Sequence, residues 1–500
     1  MPESPREDRP LHPVAAGALV FGVSGAVLVL EILAARLLAP YVGLSLETYT
    51  AIIGVVLAGI SLGTWLGGRV ADAIDPRRIL GPLLILGGLL SLATLPGGRG
   101  FGELAQGRSA YALVLAVLFS FFPPAAVLSA ASPLVVKLQL RSLTVTGHVV
   151  GRLSALGTAG AIVGTFLTGF VLLPAFPTSG IVIVLGSILV AIGCVLTAMR
   201  RRRLGLLSAS VLAAAALALV GAAGPSRCDV ETAYFCAKVE REGQSGRVLR
   251  LDDLSHSHVD LEDPTVLVFP YVQVLGDFAD VFRPKGSPIA MLSIGGGGFT
   301  LPRYVAATRP GSRNDILELD SGVVRISKER LGFKTGPLMR VHTGDARGRL
   351  RDVPRDSFDL AIGDAFSGSA IPWHLATEEA AEEVLRILRP GGTYGMNIID
   401  RPSQDLVRAE VRTVQQVFRH VALVAPRDLI AGRAGGNYVL LASDSELPLG
   451  RLEAHMVRRR NRNIGHGPQV VVAGSELKRF VGDAVLLTDD YAPADQLLTR

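Results

Sequence analysis

The sequence predicts a multi-pass α-helical membrane domain joined through a small β subdomain to a doubly wound α/β domain. Three observations predict it. The 500 residues are 49% hydrophobic and only 19% charged, with a mean hydropathy of +0.40. That is too apolar for a purely globular chain and far too apolar for disorder. Apolar blocks long enough to cross a bilayer recur through the first 225 residues. Beyond residue 225 the texture turns charged, and short β-type runs alternate with helical ones. The domains are accordingly placed at 1–225, 226–285 and 286–500.

Charge divides at the same point. Residues 1–225 hold 15 Lys+Arg and 8 Asp+Glu, whereas residues 226–500 hold 35 and 36. The pI of 9.4 therefore comes from the first half. A near-neutral second half argues against a nucleic-acid partner, which would cluster basic residues there. Three cysteines exclude a disulfide scaffold and a thiolate zinc cluster.

Seven spans are expected, at about 13–35, 48–68, 79–95, 110–136, 153–173, 180–199 and 204–222. Turn and charge signals separate them: Asp75-Pro76-Arg77-Arg78, Pro96-Gly97, Pro174 and Arg200 to Arg203. Because apolar blocks keep recurring, the first is not read as a cleaved signal peptide. Gly59, Gly63 and Gly67, like Gly160 and Gly164, recur every four residues, a spacing that lets helices approach closely in lipid. Glu31 lies inside the apolar stretch Val27–Leu38. A carboxylate there is costly unless it is paired, with Arg36 or another helix, or faces a cavity, so Glu31 is a candidate for substrate contact or proton handling. Pro123-Pro124 is expected to break the fourth span.

In the second half, β-type runs are expected at Arg247–Leu251 and Val266–Phe269. From residue 288 strands and helices alternate. Ile289–Ile294 ends in Gly295-Gly296-Gly297-Gly298, Asp315–Leu319 in Glu318-Leu319-Asp320, Met339–His342 in Gly344-Asp345-Ala346, and Phe358–Ile362 in Gly363-Asp364-Ala365. Helices are expected at Gly322–Leu331 and Glu378–Leu388, the latter closed by Arg389-Pro390-Gly391-Gly392 before the strand Tyr394–Ile398. This alternation implies a Rossmann-like parallel sheet with ligands at the strand C-termini. Gly295, Gly296 and Gly297 allow close backbone approach to a ligand. Glu318 is spaced to accept hydrogen bonds from two ribose hydroxyls. Asp345 suits an adenine amino group, and Asp364 faces the reacting centre. The bland alternative is that these acids are helix caps and turn residues.

These motifs, with the closing Arg-Pro-Gly-Gly, resemble the spermidine synthase family over residues 240–445. The stretch from Leu249 to Tyr271 is similar to that family's small β subdomain. Gly151-Arg152 to Pro174 and Leu487–Pro493 resemble its multi-pass, membrane-fused bacterial subgroup. The resemblance implies an S-adenosylmethionine-methyltransferase fold and a donor that is S-adenosylmethionine or its decarboxylated form, with no metal. It implies that Glu318 binds ribose, Asp345 the adenine side, and Asp364 the attacking amine. His256 falls where the family places a donor-contacting Gln. His374, after Asp364, is a lid candidate.

The chain also departs from the family. Gly298 stands where an acid follows the three glycines, Ser367 replaces a second acid, and the family's Tyr-His-Glu reads Tyr271-Val272-Gln273. Tyr271 and Gln273 are thus candidate acceptor contacts on a rewritten acceptor side. Three functions are in view: aminopropyl transfer to an amine, methyl or other alkyl transfer to a membrane-embedded acceptor, and a transporter or sensor whose adenosyl domain only binds. A lipid bilayer is the expected partner, and homo-oligomerisation is left open. His256 and His258 among Asp252, Asp253, Asp260 and Asp263 read as one strand face rather than a metal site. Lys/Arg counts over seven spans place residues 226–500 outside the cell membrane. Cys228 and Cys236 would there be free to pair.

Overall fold

The apolar blocks of the first half fold as helices. The structure, a computed structural model, describes residues 12–42, 46–105, 110–140, 145–199, 204–223, 228–366, 368, 370–460 and 468–499. Among the described residues, six stretches are long and apolar enough to cross a membrane: Pro13–Val42, Glu47–Ala73, Pro76–Ala105, Tyr111–Gln139, Thr146–Ala175 and Thr178–Ala198. The seventh expected span is the helix Leu204–Ala223, whose apolar core Ala209–Gly221 is shorter. The glycine spacings act as helix contacts. A Cβ on Gly63 would lie 2.0 Å from the Ala126 carbonyl oxygen, and one on Gly160 would lie 2.1 Å from that of Phe21. Only glycine permits these backbone approaches.

One expectation here is corrected. The helix Ala110–Ser129 runs through Pro123 and Pro124, and the discontinuity comes at Ala130, before the helix Ala131–Gln139. The prolines withhold the donors for two carbonyls one turn back, while their fixed φ still suits the helix.

The chain divides into two units, Met1–Arg227 and Cys228–Arg500. The second opens with an antiparallel sheet of β1 (Val230–Glu231), β2 (Cys236–Glu242), β3 (Gly246–Leu251) and β4 (Leu254–Asp260) in chain order. A disulfide joins Cys228 to Cys236. Val266–Phe269, expected as a strand, joins neither sheet; Pro270 occupies the first turn of the helix Pro270–Val281, a position that its fixed φ favours.

A mixed sheet follows. Its strands are β5 (Ala290–Ile294), β6 (Arg313–Glu318), β7 (Met339–Thr343), β8 (Phe358–Gly363), β9 (Leu388–Asp400), β10 (His420–Pro426), β11 (Gly436–Ser443) and β12 (Gln469–Ala473). Their order is β12-β10-β11-β9-β8-β5-β6-β7. From β9 to β7 all neighbours are parallel, while β11, β10 and β12 pair antiparallel. Arg389–Gly392, expected to separate helix from strand, falls inside β9, where the register against β8 shifts.

Both faces of this sheet are covered, so β5 is buried at all five residues, as parallel strands require. On one face Leu292, Ala361 and Leu440 pack with Val384 and Val411. On the other, Met291, Leu360 and Leu441 pack with Leu275 and Phe278 of the helix Pro270–Val281. Chain order reverses around β5, which lies between β8 and β6, and the crevice outside those strand ends is where such a sheet holds ligands.

Candidate functional site

At these strand ends lies a cavity of about 650 Å³, within the range of small-molecule sites. Glycine geometry shapes its floor. Gly295 has φ +95° and Gly297 φ +50°, a left-handed region that side chains rarely adopt. A Cβ on Gly295 would also lie 2.2 Å from the Asp364 carbonyl oxygen. Glu318, at the end of β6, locks the loop: its Oε2 accepts from the N–H groups of Gly296 at 2.8 Å and Gly297 at 3.3 Å, and its Oε1 from Asp320 at 2.9 Å. Burial raises the Glu318 pKa above the usual carboxylate value, and these N–H donors oppose the rise.

The small sheet closes the cavity from above. Ser257 on β4 accepts from the Gly298 N–H at 2.8 Å, and Thr300 donates to the His258 carbonyl at 2.9 Å. His256 and His258, expected on one strand face, are separated: the register of β4 against β3 shifts between Ser255 and Ser257, so His256 is the extra residue of a bulge and the simple alternation is broken there. His256 lines the cavity with Tyr234 and Phe235, and its ring lies 6.3 Å from that of Phe235. Burial lowers its pKa to about 4, so the ring is neutral at physiological pH. His258 is instead buried, its Nε2 3.3 Å from Glu242, and is absent from the lining.

Asp345 has two jobs. Its Oδ1 caps the helix Ala346–Arg351 by accepting from the Gly348 N–H at 3.1 Å, and its Oδ2 lies 2.9 Å from Nε2 of His374. Asp345 and His374 both line the cavity. Asp320, by contrast, is a cap alone, accepting from the Gly322 N–H at 2.8 Å.

Asp364 stands at the end of β8. Its Oδ1 accepts from Asn397 Nδ2 at 2.8 Å and its Oδ2 from the Tyr271 hydroxyl at 3.2 Å. Asn437 Nδ2 in turn donates to Asn397 Oδ1 at 3.0 Å. Burial raises the Asp364 pKa to about 6, the two donors pulling the other way. Burial first, then Asp364 itself, pushes the Tyr271 phenol well above 10, so it remains a donor. A carboxylate poised near neutrality in a cavity is suited to taking a proton from a reacting group.

The structure thus brings Gly295, Gly296, Gly297, Glu318, Asp345, His256, Tyr271, His374 and Asp364 to one cavity. One candidate of this unit does not join them. Gln273 lies two residues beyond Tyr271, about 200° round the helix Pro270–Val281, and its amide donates to the carbonyls of Leu267 at 2.7 Å and Val268 at 3.3 Å. Glu31 belongs to the helix Pro13–Val42 of the first unit. Ser367 lies outside the described residues. Sequence reasoning missed Asn397 and Asn437; the available signal was an amide inside the otherwise apolar β9 run, which a buried position tolerates only with a partner. It also missed the aromatic wall of Tyr234 and Phe235.

No family model matches the chain. Among curated proteins it is 31% identical over 186 residues to the polyamine aminopropyltransferase of Vibrio vulnificus, a match covering 36% of this chain and 58% of that one. The chain therefore spans less than two thirds of that relative's length. It is 28% identical over 418 residues to polyamine aminopropyltransferase 2 of Streptomyces coelicolor, covering 77% of this chain and 73% of the relative. That stretch is longer than the α/β unit alone and so reaches into the helices. Among solved structures, a probable spermidine synthase from Corynebacterium glutamicum aligns at 27% identity with a TM-score of 0.49, over 53% of this chain and 96% of that one. These sequence likenesses, together with a glycine loop and strand-end acids gathered round one cavity, make this a spermidine-synthase-like chain.

Proposed function

We propose that this is a membrane-anchored transferase that moves the aminopropyl group of decarboxylated S-adenosylmethionine to an amine. The observation that carries the reading is Asp364, a buried carboxylate with its pKa raised to about 6, in the same cavity as the glycine loop and Glu318. Glu318 would accept from the donor's ribose hydroxyls and Asp345 from its adenine amino group. Neutral His256, with Tyr234 and Phe235, would wall the donor. Asp364 would take the proton of the acceptor ammonium, with Asn397 and Tyr271 fixing both its oxygens. The six long apolar helices support the membrane anchoring. The relatives' names support the aminopropyl donor.

A second reading, methyl transfer from S-adenosylmethionine, is favoured by the departures at Gly298 and Gln273, which leave the acceptor side unlike that of a diamine enzyme. Product analysis separates the two with purified full-length protein. Methylthioadenosine from decarboxylated donor supports aminopropyl transfer. S-adenosylhomocysteine supports methyl transfer. Nucleoside binding without turnover on either donor overturns both readings in favour of a sensor.

A further inference from the structure

We infer that the acceptor side of this cavity takes a monoamine: one ammonium group on an uncharged, largely apolar tail. This rests on the transferase reading above and narrows its substrate.

Strand order sets out the charges. Asp345 follows β7, Glu318 ends β6 and Asp364 ends β8, and these are the carboxylates that line the cavity among the described residues. Neighbouring strands are spaced by about 4.8 Å, so Glu318, two strands from Asp364, is about 10 Å away across the sheet. Glu318 and the glycine loop occupy the β5–β6 side, where the nucleoside belongs. The other side runs from β8 across β9 to β11. It offers one carboxylate, Asp364, and then only neutral groups: Asn397, Ile399 and Asn437 from the strands, and Phe269 and Pro270 from the start of the helix. The two amides are already engaged with each other and with Asp364.

Among the described residues, no further carboxylate comes from the neighbouring loop or helix. At Gly298, on the nucleoside side, a Cβ would lie 2.7 Å from Ser257 Cβ and 3.0 Å from Val259 Cγ2, so the loop is packed on β4 there. Gln273 is turned away to carbonyls of its own preceding segment. The second ammonium of a diamine would therefore be stripped of water among Phe269, Pro270 and Ile399 with no counter-charge, which is strongly unfavourable. A methyl group at the same point is favourable.

In the reaction, the amine nitrogen's lone pair forms the new C–N bond with the aminopropyl carbon. The C–S bond breaks, its electron pair goes to sulfur, and the sulfonium becomes a neutral thioether. The ammonium proton passes to Asp364 and on to water.

The test uses pentylamine and 1,4-diaminobutane, which match in heavy-atom length and differ at one end, methyl against ammonium. Calorimetry on full-length protein saturated with methylthioadenosine reads binding, and methylthioadenosine release from decarboxylated donor reads turnover. Pentylamine is expected to bind at least about tenfold tighter, with kcat/KM favoured by a similar factor. Ile399→Asp, which adds a second carboxylate, should raise the relative affinity for the diamine by about tenfold. A wild-type preference for the diamine, or an unchanged preference in Ile399→Asp, overturns the monoamine inference. Loss of turnover with both amines, with the binding preference intact, overturns the transferase reading and leaves the acceptor-side selectivity standing.

Discussion

Asn397 Nδ2 donates to Asp364 Oδ1 at 2.8 Å, so the amide at the end of β9 sets how tightly the neighbouring carboxylate holds its proton. A donor to the charged form lowers a carboxyl pKa, and Asn397 and Tyr271 together hold Asp364 at about 6 against burial. Activity should therefore rise with pH through about 6 as Asp364 ionises. Asn397→Leu removes one donor, worth about 1.5–3 kcal/mol to a charged acceptor, and should move that limb up by about one to two pH units. A pH profile of kcat/KM checks it. A limb that stays near 6 in Asn397→Leu would detach the amide from the titration.

Replacing the carboxylate itself should separate binding from chemistry and trade activity for stability. Asp364→Asn is nearly isosteric, so donor affinity should hold in calorimetry while turnover falls about 100-fold or more, the scale of a lost general base. The stability sign follows from linkage. With its folded pKa raised to about 6, the native state holds the Asp364 proton more tightly than the unfolded chain. The charged form thus costs stability as pH rises from about 4 to about 6. Asp364→Asn should raise the thermal midpoint at pH 8, by about 1–3 kcal/mol of stability, and leave it nearly unchanged at pH 4. A midpoint that falls at pH 8 contradicts the burial argument.

Glu318 is held by three N–H donors of its own loop and strand end, which fixes it for ligand hydroxyls. Glu318→Gln keeps the size but loses the charge, and should weaken both S-adenosylmethionine and methylthioadenosine by about 1–3 kcal/mol. Equal calorimetric affinity in the variant and the parent would remove Glu318 from the donor site.

The parallel strands are legible in the sequence from short β-type runs that alternate with helical segments and are each ended by glycine or an acid; β5 alone is buried throughout, while β7 is largely exposed. That pattern alone sets Gly295, Glu318, Asp345 and Asp364 at one edge. What the pattern lacks is the side-chain direction of a residue whose partner is distant in sequence. Asn397 reads as one polar interruption of β9, and its partner lies 33 residues away. Gln273 shares the first helical turn with Tyr271, yet only the helical twist decides that Tyr271 faces Asp364 while Gln273 faces Leu267. Val266–Phe269 has strand composition, but Pro270 commits the following residues to a helix. A neighbouring residue's backbone preference thus overrides local propensity.

The Cys228–Cys236 disulfide closes a short loop that carries Tyr234 and Phe235, two residues of the cavity wall. Opening it should loosen that wall. Cys228→Ala with Cys236→Ala is expected to cost about 2–3 kcal/mol of stability for a loop of this length, and to weaken nucleoside affinity without changing the pH limb set by Asp364. Unaltered affinity in calorimetry would show that β2 alone positions Phe235.

If the long apolar helices cross a membrane, the side that holds Cys228–Arg500 turns on whether the helix Leu204–Ala223 also crosses. If it crosses, seven spans put the sequence segments 69–78, 137–152 and 200–203 on one side. They hold Arg69, Arg77, Arg78, Lys137, Arg141, Arg152 and Arg200 to Arg203. The other side holds Arg36, Arg99 and Arg108, with Arg6 and Arg9 in the N-terminal tail. Basic loops stay in the cytoplasm, so seven crossings place the α/β unit outside, and a disulfide belongs with an oxidising compartment. Against this stand the shorter apolar core of that helix, Ala209–Gly221, and a sulfonium donor that an exterior enzyme would have to receive from the cytoplasm. On the charge asymmetry and the disulfide we propose the exterior. Fusions after Arg500 decide it: active alkaline phosphatase with dark green fluorescent protein is the expected pair. Bright fluorescence with inactive phosphatase would mean that Leu204–Ala223 does not cross, and that the disulfide faces a reducing compartment.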